Sequence, residues 1–326
     1  MPKRAFITGI TGQDGSYLTE LLVQKGYEVH GLVRRTSSMQ RGRLDGLVLS
    51  PAQRKDQVFL HYGDLGESSA LVRLFHKIKP DEVYHLGGQS HVRVSFESPE
   101  YTFDINASGT ARLLECIRDC GQPVRFYHAS TCEMFGRPET SPQNENTPFR
   151  PVSPYACSKA ASHYLTSCYR DSYGLFACNG ILFNHESPRR GENFVTRKIA
   201  RGVAAIKQGR EKILKLGNTD ARKDWGYAPE FVAAMWQMLQ QDKADDFVIA
   251  TGEAHSVQEF VETAFQIAGL DWHAHVETDP SQMRPAEVGL IVGDASKARK
   301  SLGWEPKTRF QELVRIMVEA ELQDDA

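Results

Sequence analysis

A glycine-rich turn close to the N-terminus places the strongest constraint on the fold. Gly9, Gly12 and Gly15 lie three residues apart, between a short apolar run at 5–8 and a segment at 16–25 with leucines at helical spacing. Glycines in such a turn let the backbone approach an anionic group, and the N-terminus of the following helix offers N–H groups and a positive dipole. The turn therefore predicts a strand–turn–helix unit that binds the pyrophosphate of a dinucleotide.

Strand-like and helical segments alternate as far as residue 183. Helical spacing recurs at 71–78 and 107–120. Further apolar runs predict strands at 28–33, 58–62, 82–86, 124–128 and 181–183. Parallel strands need helical crossovers of this kind, so we predict an α/β chain built on a doubly wound parallel Rossmann sheet.

The character of the sequence changes after residue 183. The segment 184–191 is polar and turn-rich, and the rest of the chain mixes helices with short strands and loops. We therefore predict that residues 1–183 form a cofactor-binding Rossmann domain that carries the catalytic residues. Residues 184–326 are predicted to form mainly a smaller C-terminal α/β substrate-binding lobe, with some segments returning to the Rossmann domain.

Charge and cysteine content argue against several other classes of protein. The formal net charge of −2 provides no overall field for nucleic acid or an anionic membrane. The six cysteines form no C-x-x-C pair and no zinc-like spacing, which favours free thiols and predicts no metal site. No stretch has the pattern of a signal peptide or a membrane span. We expect a cytoplasmic protein without nucleic-acid or membrane partners.

The residues that end the second predicted strand indicate which cofactor binds. An NAD-specific site places an acidic side chain there, but this chain has Arg34 and Arg35. Two guanidinium groups suit a 2′-phosphate, so we predict NADP, with Ser37 in the same basic stretch. A solvated surface loop is the alternative for that stretch. Asp64, after the third strand, is either an acceptor for the adenine amine or a helix N-cap.

A tyrosine and a lysine four residues apart supply candidate chemistry. Tyr155 and Lys159 lie on one face of a predicted helix, and Thr131 precedes them after the fifth strand. A nearby cation and the charge of an oxidised nicotinamide both favour the phenolate, so the pKa of Tyr155 is expected to fall. The phenolate can then exchange a proton with an alcohol while a hydride moves.

Several segments together resemble a known family. They are the glycine turn at 9–17, the segments 126–136 and 147–159, Asn-His-Glu-Ser-Pro-Arg-Arg-Gly at 184–191 and Phe-Val-Thr-Arg-Lys at 194–198. With them the chain resembles the extended short-chain dehydrogenases and, among these, the GDP-mannose 4,6-dehydratases, over essentially its whole length.

The resemblance implies an NADP-dependent hydro-lyase that converts GDP-mannose to GDP-4-keto-6-deoxymannose. C4 of the hexose is oxidised, water is eliminated across C5 and C6, and the same hydride returns to C6. The resemblance also implies a homo-oligomer, either a tetramer or a dimer.

Four side chains receive catalytic roles from the resemblance. Tyr155 would deprotonate the C4 hydroxyl, Lys159 would hold the nicotinamide ribose, and Thr131 would hydrogen-bond O4. Glu133 would remove the C5 proton, which the C4 ketone makes acidic; plain hydride transfer needs no such base, so Glu133 distinguishes a dehydratase. A structural carboxylate in an ion pair is the alternative for Glu133. Cys132 stands where this family usually has serine, so we expect Glu133 also to protonate the leaving hydroxide.

The resemblance also implies two sets of ligand-binding residues. The cofactor-binding set is Gly9, Thr11, Gly12, Gln13, Asp14, Gly15, Arg34, Arg35, Ser37, Asp64, Leu65, Leu86, Gln89, Ser90, Tyr101, Tyr155, Lys159, His185 and Arg190. The substrate-binding set is Ser90, Asn184, Val195, Lys198, Arg222, Arg284 and Glu287. Lysine and arginine suit a nucleotide diphosphate, although each one singly is also compatible with a surface ion pair.

Other activities fit the same motifs. One alternative is a dehydratase for a related GDP sugar, such as GDP-heptose, and another is a nucleotide-sugar 4-epimerase or 4-keto reductase. A non-catalytic NADP sensor is an alternative from a different class. The presence of Thr131, Glu133, Tyr155 and Lys159 together argues against the sensor, which has no need of all four.

Overall fold

The apolar runs pair into one parallel sheet and two small ones. The computed structural model describes residues 1–35, 42–44, 57–282 and 290–324. Its strands are β1 (Arg4–Thr8), β2 (Glu28–Val33), β3 (Val58–Tyr62), β4 (Glu82–His85), β5 (Arg125–Thr131), β6 (Phe176–Leu182), β7 (Asn184–Glu186), β8 (Leu214–Leu216), β9 (Arg222–Tyr227), β10 (Asp246–Ile249), β11 (Ala254–Ser256) and β12 (Val276–Thr278). The main sheet has the order β10-β6-β5-β4-β1-β2-β3, with every pair parallel. The predicted Rossmann architecture is confirmed.

Helices connect these strands, and some of them cover the main sheet. They are α1 (Gln13–Gln24), α2 (Ser68–Ile78), α3 (Val92–Glu97), α4 (Pro99–Phe103), α5 (Gly109–Asp119), α6 (Pro154–Tyr173), α7 (Val195–Lys207), α8 (Ala228–Met238), α9 (Val257–Ala268), α10 (Ser296–Leu302) and α11 (Phe310–Asp324). No helix within the described ranges is both long and apolar enough to cross a membrane.

The core of the main sheet lies on both of its faces. Ala5, Phe6 and Ile7 of β1 are fully buried, although neighbouring side chains on a strand point to opposite sides. Phe6 packs edge-on against Phe75 of α2, while Ile7 belongs to the opposite cluster, with Leu18 of α1. Burial on both faces explains why the strands are continuous apolar runs rather than alternating ones.

The C-terminal part builds a second core. Helices α7, α9 and α11 surround it, and the small sheets β11-β9-β7 and β12-β8 close its sides. Trp225 packs edge-on against Phe260 and stacks with Phe310. Two elements from this half of the chain join the Rossmann sheet instead: β10 pairs with β6, and α8 packs against α1.

One strand extends further than its apolar run predicted. The run at 124–128 indicated a strand that stops at His128, whereas β5 continues through Ser130 to Thr131. The extra residues pair in parallel with Gly180, Ile181 and Leu182 of β6, so the ladder of hydrogen bonds overrides the polar side chains. Because of this extension, Thr131 sits at the carboxyl end of the sheet, where ligands bind in doubly wound folds.

Candidate active site

The glycine turn is packed directly against neighbouring backbone. Gly9 has a φ of +74°, and a Cβ on it would lie 2.8 Å from the backbone nitrogen of Gly87. A Cβ on Gly15 would lie 2.3 Å from the carbonyl oxygen of Gly9. Glycine is therefore required at both positions. The N-terminus of α1 faces a cavity of about 340 Å³ that Gly9, Gly12, Gln13, Asp14 and Gly15 help to line.

Two contacts join this turn to β7. His185 Nε2 lies 2.9 Å from Asp14 Oδ2, and Gln13 Nε2 donates to the carbonyl oxygen of His185 at 3.1 Å. Burial lowers the pKa of His185, but the Asp14 carboxylate outweighs burial and the net pKa is raised. Burial raises the pKa of Asp14, but His185 more than reverses this. The pair is ionic below the raised pKa of His185 and holds the two segments together.

Arg34 and Arg35 follow β2 and are both exposed. Arg34 Nη1 donates to the hydroxyl of Tyr101 at 3.0 Å, and the Arg35 guanidinium lies 5.7 Å from the ring centroid of Tyr62. Ser37 lies outside the described residues. Both cations are thus held by aromatic side chains at the end of the strand.

Asp64 does not cap the helix that follows it. Its Oδ1 accepts a hydrogen bond from the backbone N–H of Gly66 at 2.8 Å, whereas the N-cap of α2 is Glu67. Asp64 therefore forms a local turn, of the kind that aspartate favours. Leu65, beside it, is buried, and its Cδ1 lies 3.1 Å from the position of a Cβ on Gly87.

The cavity continues past the turn to further residues predicted for the cofactor. Leu86, Gln89, Ser90 and Arg190 line it, and the backbone N–H of Gln89 donates to Asn106 Oδ1 at 2.9 Å. Thr11 is not among the residues that line the cavity; its carbonyl oxygen accepts a hydrogen bond at 3.2 Å from Nη1 of Arg43, which does line it.

Arg43 lines the same cavity and was not among the predicted cofactor residues. Its Nε donates to the carbonyl oxygen of Arg189 at 2.7 Å, so the guanidinium is fixed across the mouth of the turn. In the sequence it belongs to a basic stretch with no pattern of its own, and its contacts with the distant carbonyl oxygens of Thr11 and Arg189 reveal its position.

The four predicted catalytic residues line this one cavity. Thr131 ends β5, and its hydroxyl accepts from the backbone N–H of Glu133 at 3.2 Å, which starts a single helical turn over 132–135. Tyr155 stands in the first turn of α6, whose N-cap Ser153 accepts from the N–H of Ala156 at 3.1 Å. Lys159 follows Tyr155 one turn along.

Burial governs the protonation of Tyr155 and Lys159. Burial raises the pKa of Tyr155, a hydrogen bond with Thr131 lowers it, and the Glu133 carboxylate raises it again. Burial lowers the pKa of Lys159 to about 8. The expected fall in the pKa of Tyr155 is therefore wrong for the protein alone, because removing a phenolate from water costs more than the Thr131 hydrogen bond and the Arg190 charge return.

A second, larger cavity of about 800 Å³ adjoins the first and shares Val92, Glu133, Asn184, Arg190 and Phe194 with it. Three residues predicted for the substrate, Asn184, Val195 and Lys198, line this second cavity, whereas Ser90 lines the first. Lys198 Nζ donates to the carbonyl oxygen of Lys215 at 2.7 Å. Arg284 and Glu287 lie outside the described residues.

The structure brings Lys223 rather than Arg222 into the second cavity. Arg222 points away, donating to Glu259 Oε1 at 3.1 Å and to the carbonyl oxygen of Ala254 at 2.7 Å. Lys223 is buried, and its Nζ lies 3.9 Å from Glu133 Oε1. Consecutive side chains of β9 face opposite sides, so only one of the two adjacent cations reaches the site. The sequence contains no signal that selects between them.

Arg190 lies where the two cavities meet. Its Nε is 3.1 Å from Glu186 Oε2, and its guanidinium stacks 3.8 Å from the ring centroid of Phe194. A carboxylate and an aromatic face together fix the orientation of the cation. In the described part of the chain, no group of three or more His, Cys, Asp and Glu side chains is arranged to hold a metal ion.

A Rossmann sheet with Thr131 at the end of its fifth strand, facing Tyr155 and Lys159 on one helix, defines an enzyme of the short-chain dehydrogenase/reductase class. A family model described as GDP-mannose 4,6 dehydratase matches residues 6–317. The chain belongs to that family, and the resemblance seen in the sequence is confirmed.

Curated relatives agree with the family assignment. The chain is 55% identical over 326 residues to GDP-mannose 4,6 dehydratase 1 of Arabidopsis thaliana, covering 98% of this chain and 90% of the relative. It is 50% identical over 339 residues to GDP-mannose 4,6 dehydratase of Homo sapiens, covering 98% and 91%.

Solved structures share the fold over nearly the full length. RMD from Pseudomonas aeruginosa, solved with NADPH, has a TM-score of 0.81 and 25% identity and covers 99% of both chains. The UDP-glucose 4-epimerase of Thermus thermophilus, solved with NAD, has a TM-score of 0.82 and 29% identity and covers 98% of both.

Proposed function

We propose that this protein is a hydro-lyase that dehydrates GDP-mannose to GDP-4-keto-6-deoxymannose. The observation that carries the proposal is Glu133, which lines both cavities beside Thr131 and Tyr155. A carboxylate there supplies the base that elimination needs and plain hydride transfer does not. Membership of the dehydratase family and the names of the curated relatives support the substrate.

A nicotinamide cofactor suits the glycine turn. Neighbouring backbone lies so close to Gly9 and Gly15 that a Cβ on either residue would clash with it, and a turn this compact lets backbone approach a pyrophosphate. Proteins with a related fold were solved with NADPH and NAD. When bound there, a nicotinamide would supply an acceptor for the C4 hydride and a donor of the same hydride to C6. We propose NADP, because the guanidinium groups of Arg34 and Arg35 suit a 2′-phosphate.

Tyr155 handles the proton on O4. Its hydrogen bond with Thr131 orients the phenol and lowers its pKa. Lys159, with a pKa of about 8, carries a positive charge at neutral pH. That charge, together with the positive charge of an oxidised nicotinamide, would favour the phenolate form once the cofactor is bound, and the phenolate can accept the O4 proton as the ketone forms.

Glu133 carries out the elimination. It takes the C5 proton and gives it to the C6 hydroxide as the C–O bond breaks, so water leaves. C5 regains a proton when the hydride reaches C6. The proton that Tyr155 took from O4 accounts for it, so the reaction releases only water. Cys132 is a poor acid for the leaving group because burial raises the pKa of its thiol.

The substrate occupies the second cavity in this proposal. Lys198 and Lys223 supply cations for the diphosphate, and Asn184 and Val195 complete the wall. We propose that Lys223 has the substrate-binding role that the resemblance implied for Arg222. Residues 1–183 then serve as the cofactor domain and 184–326 mainly as the substrate lobe, with β10 and α8 returning to the sheet.

We also propose a cytoplasmic homo-oligomer, a tetramer or a dimer. All six cysteines are free thiols, as expected in a reducing compartment. Phe103 of α4, together with Tyr164 and Tyr173 of α6, exposes large aromatic surface: these side chains are 49%, 60% and 52% exposed. A second copy of the chain would cover that surface.

The proposal is tested by incubating the purified protein and NADP with GDP-mannose and following the product by NMR. We expect a 4-keto-6-deoxy sugar without net change in NADPH. In Glu133→Gln, cofactor reduction and C4 oxidation should continue while no 6-deoxy product forms. Loss of cofactor reduction as well would contradict the role given to Glu133.

The alternatives give different results in the same assay. Net formation of NADPH together with a 4-keto sugar that keeps its C6 hydroxyl would indicate a 4-keto reductase running in reverse, and a C4 epimer without a keto group would indicate an epimerase. A panel of GDP sugars that includes a GDP-heptose separates mannose from its relatives. Tight NADP binding without turnover of any sugar would indicate a sensor.

A further inference from the structure

A stripe of three side chains runs along the catalytic helix. Tyr155, Lys159 and His163 are spaced four residues apart, so they lie on one face of α6. The first two line the cofactor cavity, and His163 continues the stripe one turn further along. The chemistry described above has no use for His163, although it is a buried, titratable group next to the site.

His163 bridges two strands of the main sheet. Its Nδ1 lies 3.1 Å from Ser130 Oγ on β5, and its Nε2 lies 3.5 Å from Asp246 Oδ2 on β10. Burial lowers the pKa of His163 in spite of the Asp246 carboxylate, so the ring is neutral at neutral pH. A neutral imidazole can accept the Ser130 hydroxyl proton at Nδ1 and turn its Nε2–H toward Asp246, a polar contact at 3.5 Å.

Asp246 is anchored independently of His163. Arg170 Nη1 donates to its Oδ1 at 2.7 Å, and the backbone N–H and side-chain amide of Asn179 donate to it at 3.2 and 3.0 Å. Asn179 Nδ2 also donates to the carbonyl oxygen of His163 at 3.2 Å. The far end of the bridge is therefore rigid, and a shift of His163 breaks hydrogen bonds in a buried site.

We propose that His163 is a positioning residue for the oxidation step. Ser130 directly precedes Thr131 on β5, and His163 shares the face of α6 with Tyr155. The bridge from Ser130 through His163 to Asp246 therefore sets the separation between Thr131 and Tyr155. The inference rests on the proposed function, because it concerns the proton transfer at O4.

The effect of losing the bridge follows from how catalysis depends on position. A displacement of about 1 Å at a reacting pair costs about 100-fold in rate, even when the mutated residue lies away from the chemistry. His163→Ala should therefore lower kcat by about 10- to 100-fold while the KM for GDP-mannose changes by about twofold or less.

Three further variants separate positioning from general stability. Tyr169 lies further along α6, and Tyr169→Phe, which removes its hydrogen bond to Glu115 of α5, serves as the matched control. His163→Asn keeps an amide near the Nδ1 position and can still contact Ser130, whereas His163→Gln extends toward Asp246. We expect Asn to restore more of kcat than Gln, because the Ser130 contact is the one next to Thr131.

The kinetic isotope effect reports on the step that slows. With deuterium at C4 of GDP-mannose, His163→Ala should show a larger effect on kcat than the wild type, because hydride transfer becomes more rate-limiting. Tyr169→Phe should match the wild type in both kcat and isotope effect. Equal kcat and equal isotope effect in His163→Ala and Tyr169→Phe would overturn the proposal.

Amide hydrogen exchange tests the bridge without any sugar substrate. In the purified full-length protein, His163→Ala should exchange faster than Tyr169→Phe at 130–135 and 154–163, with other segments unchanged. Unchanged or uniformly faster exchange would overturn the bridge. If the wild type failed to turn over GDP-mannose, the proposed function would fail on its own, and the exchange experiment would still decide whether the bridge holds these segments.

Discussion

Replacing Gly15 with alanine would put a methyl group inside the backbone of the cofactor turn. The new Cβ would lie 2.3 Å from the carbonyl oxygen of Gly9, about 1 Å short of the 3.4 Å at which ordinary contact begins. Two backbone atoms of Ile10 lie within 2.8 Å of the same point, so no side-chain rotation relieves the clash. Overpacking of this kind costs about 1–3 kcal/mol.

We expect this overpacking energy to appear mainly as weaker cofactor binding, because the turn must open to admit the methyl group. At about 1.4 kcal/mol for each factor of ten, we expect the Kd for NADPH to rise by about 10- to 100-fold in Gly15→Ala. Titration of the NADPH fluorescence measures the Kd. Thermal unfolding without NADPH measures how far the substitution destabilises the protein itself.

Two other glycines calibrate this experiment. A Cβ on Gly12 would meet the same carbonyl oxygen at 3.2 Å, so Gly12→Ala should lose less affinity than Gly15→Ala. Gly26 has a φ of +81° but nothing within 4 Å of its Cβ, so Gly26→Ala should destabilise the fold by about 1 kcal/mol without changing the Kd. Wild-type affinity in Gly15→Ala would refute the argument, as would an equal loss in Gly26→Ala.

Three further predictions concern charged residues. Arg34→Ala with Arg35→Ala should weaken NADPH binding by at least about tenfold and NADH binding much less, as fluorescence titration would reveal. Burial lowers the pKa of Lys159 to about 8, so the unfolded chain binds more protons than the folded one between about pH 8 and 10.5. The free energy of unfolding of the wild type, measured in urea, should therefore rise across that window by up to about 3 kcal/mol relative to that of Lys159→Met. Lys223→Met should raise the KM for GDP-mannose by about tenfold, more than Arg222→Met does; a larger effect at Arg222 would contradict the orientation of β9.

The parts of the fold that follow from local physics were predictable. The glycine turn, the apolar runs and the helical spacing predict the βαβ alternation, and a parallel sheet is the arrangement that buries both faces of such strands. The extension of β5 to Thr131 was missed because it depends on pairing with β6. Thr131 has strand propensity of its own, but the apolar run ends before the polar pair Ser130 and Thr131, so no local pattern extends the strand to them.

The candidate site also has parts that were predictable from the sequence and parts that were not. Tyr155 and Lys159 were predictable as a pair because they are neighbours on one helix. The orientation of β9 in its sheet decides whether Arg222 or Lys223 enters the cavity. The position of Arg43 depends on a hydrogen bond to the carbonyl oxygen of Arg189, 146 residues away. Such contacts leave no local pattern in the sequence.

The sequence by itself determined the dinucleotide turn, the Rossmann class and the family, because each depends on residue types at short, fixed spacings. Only the tertiary structure decided that burial raises rather than lowers the pKa of Tyr155, that Lys223 faces Glu133, and that His163 ties α6 to β5 and β10. These properties arise from desolvation and from contacts between distant segments, and both exist only once the chain has packed.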